Sequence, residues 1–157
     1  MARRPRAGTQ RGFLKTVQES IKNMEEKADE VYRDGVLDFY IELRANTPVL
    51  TGNLRDAWVV SNAANPEPQG PTGPEGGGAL TSGITESLNN IAQIKVGDRV
   101  NILNRATYFL RLERGFSGAD SLGRVYNQPG RWFAARVGSK WRGILRSAAS
   151  KHRMKMK

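Results

Sequence analysis

A long apolar stripe runs through the first part of the chain and decides the size of its first helix. Its members alternate in spacing between three and four positions: Leu14, Val17, Ile21, Met24, Ala28 and Val31. This spacing places them on one face of an α-helix. The helical pattern covers residues 13–46, and at 1.5 Å per residue such a helix would be ~50 Å long. That length exceeds the diameter of a domain of 157 residues, so we expect one end to project or to pack on another subunit.

Proline and glycine divide the middle of the chain. The residue before a proline avoids the α region, so Thr47-Pro48 is predicted to end the helix. A strand is predicted over 56–61, where two β-branched valines follow a tryptophan. Residues 65–83 contain four Pro and six Gly, a composition that is typical of a long flexible loop.

The second half of the chain alternates short apolar patterns with turns. Apolar residues from Ile84 to Ile91 predict a short helix, and the alternation over 100–104 predicts a strand. Residues 107–114 fit either a strand or a short helix, and we favour a helix that ends at Gly115.

The last part of the chain predicts a loop followed by a helix. Residues 116–123 are rich in Gly and Ser and are predicted as a loop. Residues 131–151 place apolar side chains on one helix face and Arg and Lys on the others. All these elements together predict an α+β fold. A long N-terminal helix and a C-terminal helix pack on a small antiparallel sheet, with a long Pro/Gly-rich loop.

The basic charge of the chain is concentrated at its two ends. The formal net charge is +10, yet all 15 acidic residues lie between Glu19 and Asp120. We expect a disordered basic arm over 1–12, a single domain over 13–151 and a basic tail over 152–157. Basic ends bind polyanions or acidic protein surfaces. The residues that we select for such contacts are Arg3, Arg4, Arg6, Arg131, Arg136, Lys140, Arg142 and Arg146.

The first helix carries an acidic pattern beside its apolar stripe. Eight acids lie between Glu19 and Glu42. A charge run of this kind is typical of a solvated helix face. The alternative is a docking surface for the basic end of a neighbouring copy, and the sequence leaves both interpretations open.

Few residues in the chain suit catalysis or metal binding. The absence of Cys excludes a thiol nucleophile, a disulfide and a Cys-based metal site. The one histidine, His152, lies among Lys and Arg and is predicted to be solvated. No phosphate-binding glycine loop or nucleophile elbow occurs. We therefore expect no catalytic, cofactor-binding or metal-binding residue and no enzymatic activity. We also expect no membrane partner, because no run of ~18–20 apolar residues occurs. We expect no secretion signal, because Thr9-Gln10-Arg11-Gly12 follows the first arginines in place of an apolar core.

Nucleic-acid binding is the alternative function that the composition supports. The last predicted helix interleaves Arg and Lys with Trp132 and Trp141. The cations can neutralise phosphates and a tryptophan can stack on an unpaired base, although Trp141 lies on the apolar face and is predicted to be core. Because no groove-reading motif is present, any contact with DNA would be sequence-nonspecific and sensitive to salt.

Three short phrases combine residues that fix the backbone with apolar anchors. They are Thr47-Pro48-Val49-Leu50-Thr51-Gly52-Asn53-Leu54-Arg55, Tyr108-Phe109-Leu110-Arg111-Leu112-Glu113-Arg114-Gly115 and Asn127-Gln128-Pro129-Gly130. Their order and spacing, after a long first helix and before a terminal one, resemble the tail-completion or neck proteins of long-tailed bacteriophages. The residues that carry the resemblance are Thr47, Pro48, Thr51, Gly52, Leu54, Tyr108, Leu112, Glu113, Gly115 and Pro129. The long insertion at 65–83 and the shortened third phrase depart from that family's pattern.

The resemblance implies a structural virion subunit that is assembled in the host cytoplasm and has no enzymatic activity. It implies a homo-oligomeric ring of six or twelve copies between the head connector and the tail. The implied partners are the phage connector, the tail terminator and the tail tube proteins. The alternative that stays open is a sequence-nonspecific DNA-binding protein associated with phage DNA packaging or ejection.

Overall fold

The structure, a computed structural model, describes the backbone of residues 7–49, 52–61 and 77–154. Side chains are described for residues 10–49, 52–61 and 83–152. The elements of this described part are α1 (Ala7–Asn46), α2 (Asn53–Asp56), β1 (Trp58–Ser61), α3 (Gly77–Gln93), β2 (Asn101–Asn104), α4 (Phe109–Arg114), β3 (Gly115–Ala119), β4 (Val125–Pro129), α5 (Phe133–Ser139) and α6 (Trp141–Met154). The fold is α+β, with long N-terminal and C-terminal helices packed together beside small antiparallel sheets, which confirms the predicted class.

Helix α1 is 40 residues long and has two halves with different surroundings. It ends immediately before Thr47-Pro48, as predicted, and begins at Ala7, earlier than the predicted start at Phe13. Nearly all side chains from residue 10 to residue 30 are exposed, whereas buried and half-buried residues dominate from Val31 onward. We call residues 10–28 the projecting half and residues 31–46 the packed half.

Helix α6 crosses the packed half of α1 at a glycine. A Cβ atom on Gly35 would lie 2.9 Å from Leu145 Cδ1, so the missing side chain lets the two helices approach closely. Trp141 packs edge-on against Tyr32 and Phe39, with ring centroids 6.4 and 5.5 Å apart. Trp141 is therefore part of the packing between these helices, as predicted.

The core lies between the packed half of α1, the first sheet and α5. Strands β1 and β2 pair antiparallel, with Trp58 opposite Asn104 and Ser61 opposite Asn101. Helix α3 packs on β1 and α1. The buried cluster consists of Val36, Tyr40, Leu43, Leu54, Ala57, Trp58, Val60, Ile91, Ile94, Ala106, Phe133 and Val137.

Residues 116–119 form a strand, so the prediction of a loop over 116–123 was wrong for them, whereas residues 120–123 lie in a turn. Strands β3 and β4 form a separate antiparallel hairpin in which Gly115 pairs with Pro129. Its Gly- and Ser-containing strand lacks the apolar alternation that marks a strand in a sequence, because the hairpin is held through the backbone. Its turn is organised by Asp120, whose carboxylate accepts hydrogen bonds from the Leu122 and Arg124 backbones, both at 2.9 Å. Partial burial raises the pKa of Asp120, but the hydrogen bonds outweigh it and leave that pKa below its ordinary value.

Two further boundaries differ from the predictions. The last helix is divided into α5 and α6 at Lys140. Helix α3 begins at Gly77, inside the stretch that was predicted as a loop over 65–83. The rest of that predicted loop, up to residue 76, lies outside the described residues, as does the N-terminal part of the basic arm.

Candidate functional site

The first phrase ties the end of α1 to β1. The indole Nε1 of Trp58 donates to Thr47 Oγ1 at 2.8 Å, and that hydroxyl donates to the Leu43 carbonyl at 2.6 Å. Thr47 is buried, so both of its bonds form away from water, where an unpaired polar group would be costly. The phrase therefore acts as a polar clamp between the helix and the first sheet.

Two other members of the first phrase also have structural roles. Gly52 has φ +87°, a backbone conformation that favours glycine, and it precedes helix α2. Leu54, in α2, belongs to the buried core. Pro48 is half-buried at the end of α1, and Thr51 lies outside the described residues.

An arginine that sequence reasoning did not select strengthens this clamp. Arg44 Nη2 lies 2.7 Å from Asp56 Oδ1, and Arg44 Nη1 donates to the Arg55 carbonyl at 3.2 Å. The Tyr40 hydroxyl donates to the Trp58 carbonyl at 3.2 Å. The sequence carried one indication of this cluster: Arg44 lies in the last turn of α1, where a positive charge is stabilised by the helix dipole.

The second and third phrases meet through two glycines. A Cβ atom on Gly115 would lie 2.6 Å from the Gln128 carbonyl oxygen, and one on Gly130 would lie 2.5 Å from the Arg114 carbonyl carbon. Neither glycine therefore has room for a side chain, and Gly115 also has φ +90°. The two phrases are two sides of a single backbone-to-backbone contact, in which Pro129 is the ladder partner of Gly115.

Glu113 connects this contact to helix α5. Its Oε1 accepts a hydrogen bond from the Ala135 N–H at 2.9 Å, and its Oε2 accepts one from the Ala134 N–H at 3.1 Å. The first N–H groups of a helix have no partner within the helix, so this carboxylate satisfies two of them from a distance in sequence. The Glu113 backbone carbonyl also accepts from Trp132 N–H at 3.0 Å. Trp132 has φ +50°, an uncommon conformation for a residue with a side chain.

Aromatic side chains join the clamp of the first phrase to the contact of the other two. The rings of Trp58 and Phe109 lie edge-on with centroids 5.3 Å apart, and those of Phe109 and Phe133 are 5.8 Å apart. Tyr108 and Leu112, from the second phrase, pack against the same core. We call this connected set of phrase residues and their contacts the phrase frame.

The basic residues that were predicted to contact partners do not form a connected set, unlike the residues of the phrase frame. Lys140 is bound within the chain, because its Nζ lies 2.7 Å from Glu42 Oε1. No acid among the described residues forms an ion pair with the four arginines of this end, whose side chains are exposed: Arg131, Arg136, Arg142 and Arg146. Arg3, Arg4 and Arg6 lie outside the described residues.

Part of the acidic face of α1 is paired with α6 of the same chain. In addition to the Lys140–Glu42 pair, Lys151 Nζ lies 2.7 Å from Asp38 Oδ2. The hydrogen bond from Lys140 lowers the pKa of Glu42 below its ordinary value, and the hydrogen bond to Asp38 raises the pKa of Lys151. Glu42 and Asp38 are therefore neither available to the basic end of a neighbouring copy nor part of a face that contacts only solvent.

His152 was predicted to be solvated, and that prediction was wrong. Its side chain is only 13% exposed, with Nε2 2.9 Å from Asp34 Oδ2 and Nδ1 3.4 Å from Glu30 Oε2. Helix α6 continues through His152 and carries the ring onto the acidic face of α1, so the residue is a packing contact rather than a member of a free tail.

A groove runs between α1 and α6 where the projecting half begins. It has a volume of about 820 Å³, and its lining combines apolar side chains with three cationic ones. The apolar members include Ala28, Val31, Leu145 and Ala149, and the cationic members are Lys27, Arg142 and Arg146. Beyond it the apolar stripe continues along the projecting half, with Phe13 and Met24 68% and 69% exposed. Ala28 and Val31 belong both to the stripe and to the lining of the groove, so the two surfaces adjoin.

These arrangements fix the positions of the backbone elements and leave apolar and basic side chains exposed. Among the described residues, no three His, Asp or Glu side chains are grouped as a metal site would require. In the same part of the chain, no helix is long and apolar enough to cross a membrane. The chain matches no protein-family model, no curated protein and no solved structure.

Proposed function

We propose that this chain is a structural virion subunit of a phage neck or tail-completion ring, which joins the head connector to the tail. The observation that carries the proposal is the phrase frame. The three phrases fix backbone geometry: Thr47 connects two elements, Glu113 holds a helix start, and Gly115 and Gly130 allow a close contact. Residues of this kind suit a protein that acts through its shape.

The projecting half of α1 supports the same proposal. It exposes an apolar stripe on a helix that extends well beyond the packed body. A contiguous exposed apolar surface of this kind marks an interaction site. An assembly subunit needs such a surface toward a second copy or toward the connector, tail terminator or tail tube proteins, and contacts between identical chains close into defined oligomers.

The test is the mass and shape of nuclease-treated protein, alone and mixed with connectors or tail tubes of the phage that encodes it. Light scattering at low and high salt should find a discrete assembly of six or twelve copies, and electron microscopy should show a ring. Because apolar contacts carry it, the assembly should persist at high salt. A chain that forms no ring, either alone or on those templates, contradicts the proposal.

A genetic experiment tests the joining role separately from ring formation. A stop codon in this gene of the phage should leave filled heads and free tails in the lysate. Added purified protein should then restore joined, infectious particles. Normal particles without the protein would exclude the neck role even if the protein forms rings.

A second candidate is a sequence-nonspecific DNA-binding protein of phage packaging or ejection. The observation that favours it is the set of exposed arginines on α5 and α6 that pair with no acid in the described part. Each phosphate contact lowers the logarithm of the DNA affinity by ~0.9 per tenfold rise in salt. A triple change of Arg136, Arg142 and Arg146 to Gln should therefore flatten the salt dependence in a gel-shift titration. Wild-type protein that binds no DNA at low salt excludes this candidate.

A further inference from the structure

The stripe on the projecting half of α1 is an apolar seam that the described part of the chain leaves uncovered. Phe13, Leu14, Ile21 and Met24 are each more than half exposed. Helices in proteins gain most of their stability from packing an apolar face rather than from helix propensity. The seam therefore needs an occupant to hold the helix in this form.

We propose that a second copy of the chain covers the seam, with the two α1 helices lying antiparallel along it. The seam consists of Leu14, Val17, Ile21, Met24, Ala28 and Val31. The inference rests on the proposed function, because it names a surface through which copies of the proposed assembly contact each other.

The spacing of the seam makes it self-complementary. Alternation of three and four positions is the a and d pattern of a coiled coil, in which side chains of one helix fill holes of the other. When two copies lie antiparallel, Ile21 meets Met24 of the second copy and Val17 meets Ala28. The same pairs then recur in reverse, as a two-fold symmetric contact requires.

The charges of the projecting half agree with this pairing. The ion pairs Lys15–Glu19 and Lys22–Glu26 each link positions four apart, and 100° of rotation per residue places them on the face opposite the seam. Glu25 and Lys27 are charged residues that flank the seam. In the antiparallel register they approach uncharged residues of the second copy, Gln18 and Ser20 respectively, so these two positions meet no like charge.

The rest of the molecule favours the antiparallel over the parallel direction. Helices α3 and α6 both pack on the packed half of α1, at one end of the seam. A parallel pair would bring the two packed bodies together at that end, whereas an antiparallel pair keeps them at opposite ends.

The groove between α1 and α6 supplies room for the end of the second helix. Ala28 and Val31 line the groove and also end the seam, and Leu145 and Ala149 form its other wall. In the antiparallel register the second copy's Phe13 and Leu14 arrive beside Val31, and the residues before them must diverge from α1, because Leu145 of α6 covers the same face at Gly35. A volume of about 820 Å³ is ample for a phenyl ring.

The contact also limits how a ring can be built. A two-fold contact joins two copies and cannot by itself close a six-membered ring. Assemblies of six and of twelve copies would contain three and six such pairs, and either needs a second, different surface to close the ring.

Engineered cysteines test the register, because the native chain has no cysteine. Val17→Cys and Ala28→Cys lie on the exposed part of the seam and are ~16 Å apart along one helix. The antiparallel contact predicts that neither variant oxidises to a covalent dimer alone, whereas a mixture of the two does, because a disulfide needs Cα atoms within ~7 Å. The double variant should give a doubly linked dimer and nothing larger.

The other outcomes each overturn the inference. Dimers from either single variant alone indicate a parallel pair. A ladder of higher multimers from the double variant indicates a head-to-tail contact. No cross-linking at the highest soluble concentration indicates that the seam has another occupant. If a ring forms although the cross-linking shows one of these three patterns, the proposed function is retained and the seam contact is rejected. If the antiparallel pair cross-links but no ring forms on connectors, the seam contact is retained and the proposed function is rejected.

A substitution on the seam measures its contribution. Ile21→Asp buries a charge in each copy, so the dissociation constant measured by sedimentation should rise at least ~100-fold. The matched control is Asn23→Asp, which adds the same charge off the seam and should leave the dissociation constant within a few-fold. Equal effects of the two substitutions contradict the seam contact. An unchanged near-ultraviolet circular dichroism signal, to which Trp58 and Trp141 of the packed body contribute, shows that Ile21→Asp still folds.

Discussion

The phrase frame and the projecting half of α1 use the same residue types in opposite ways. In the frame, Phe133 is 1% exposed and Gly130 has backbone atoms where a Cβ would be. In the projecting half, Phe13 is 68% exposed and Gly12 has open space around it. The stability of the monomer therefore resides in the frame, whereas the surface left for partners lies on the helix. Matched substitutions in the two regions should therefore change different measurements.

The largest difference is expected for phenylalanine. Phe133→Ala removes a fully buried ring that packs on Phe109, and the free energy of unfolding should fall by about 3–5 kcal/mol. Phe13→Ala should change the unfolding of the monomer by less than about 0.5 kcal/mol. Urea titrations followed by circular dichroism, at a concentration where the protein is monomeric, measure both. Similar losses for the two variants would remove the distinction between the regions.

Glycine should give the next largest difference. Gly130→Ala places a methyl group within 2.5–2.7 Å of the backbone atoms of Glu113 and Arg114. Atoms of the main chain cannot move aside cheaply, so we expect a loss of about 3 kcal/mol. Gly12→Ala should instead stabilise the helix by up to about 1 kcal/mol, because alanine is the better helix former. Thermal melts and the helical signal at 222 nm distinguish the two; a tolerated Gly130→Ala would mean that the two phrases do not touch.

The cap at α5 should have an intermediate effect. Glu113→Ala leaves the Ala134 and Ala135 N–H groups without their carboxylate partner, at a cost of about 1–3 kcal/mol. Glu113→Gln keeps one oxygen acceptor and should recover part of that loss. The control in the projecting half is Glu25→Ala, which should leave the urea midpoint nearly unchanged. If Glu113→Gln were as unstable as Glu113→Ala, the hydrogen bonds would not be the reason for the effect.

Local patterns predicted those parts of the fold that neighbours in sequence decide. The 3-4 spacing predicted α1, Thr47-Pro48 predicted its end, and the valines after Trp58 predicted β1. The hairpin was missed because Gly115 and Gly130 act through a contact between distant backbones. No local pattern encodes such a contact.

The sequence predicted which residues belong to the candidate site better than it predicted what those residues do. Glu113 was selected for its place in a phrase, but its role depends on N–H groups 21 and 22 positions away. His152 was misjudged because its partner Asp34 is 118 positions away. The complementary charges of α1 and α6 were the available signal, and the sequence could not tell a contact within the chain from one between copies.

The smallest effect is expected from charge, and it depends on pH. The hydrogen bond from Lys140 lowers the pKa of Glu42, so the folded chain favours the ionised carboxylate. This contribution is present above the ordinary pKa of 4.5 and is lost as the pH falls through the lower pKa of the folded state. For Lys151 the pKa is raised, so its contribution is present below 10.5 and is lost as the pH rises further.

Glu42→Gln should therefore lower the melting temperature slightly at neutral pH and make no difference in strong acid, where wild type has lost the same interaction. The matched change in the projecting half is Glu26→Gln, which breaks a pair of 3.8 Å within one helix. Because that pair joins no separate elements, the melting temperature should change less than for Glu42→Gln at every pH. Melting curves between pH 3 and 8 measure both variants. A Glu42→Gln deficit that stays constant into strong acid would show that the residue contributes through packing rather than through its charge.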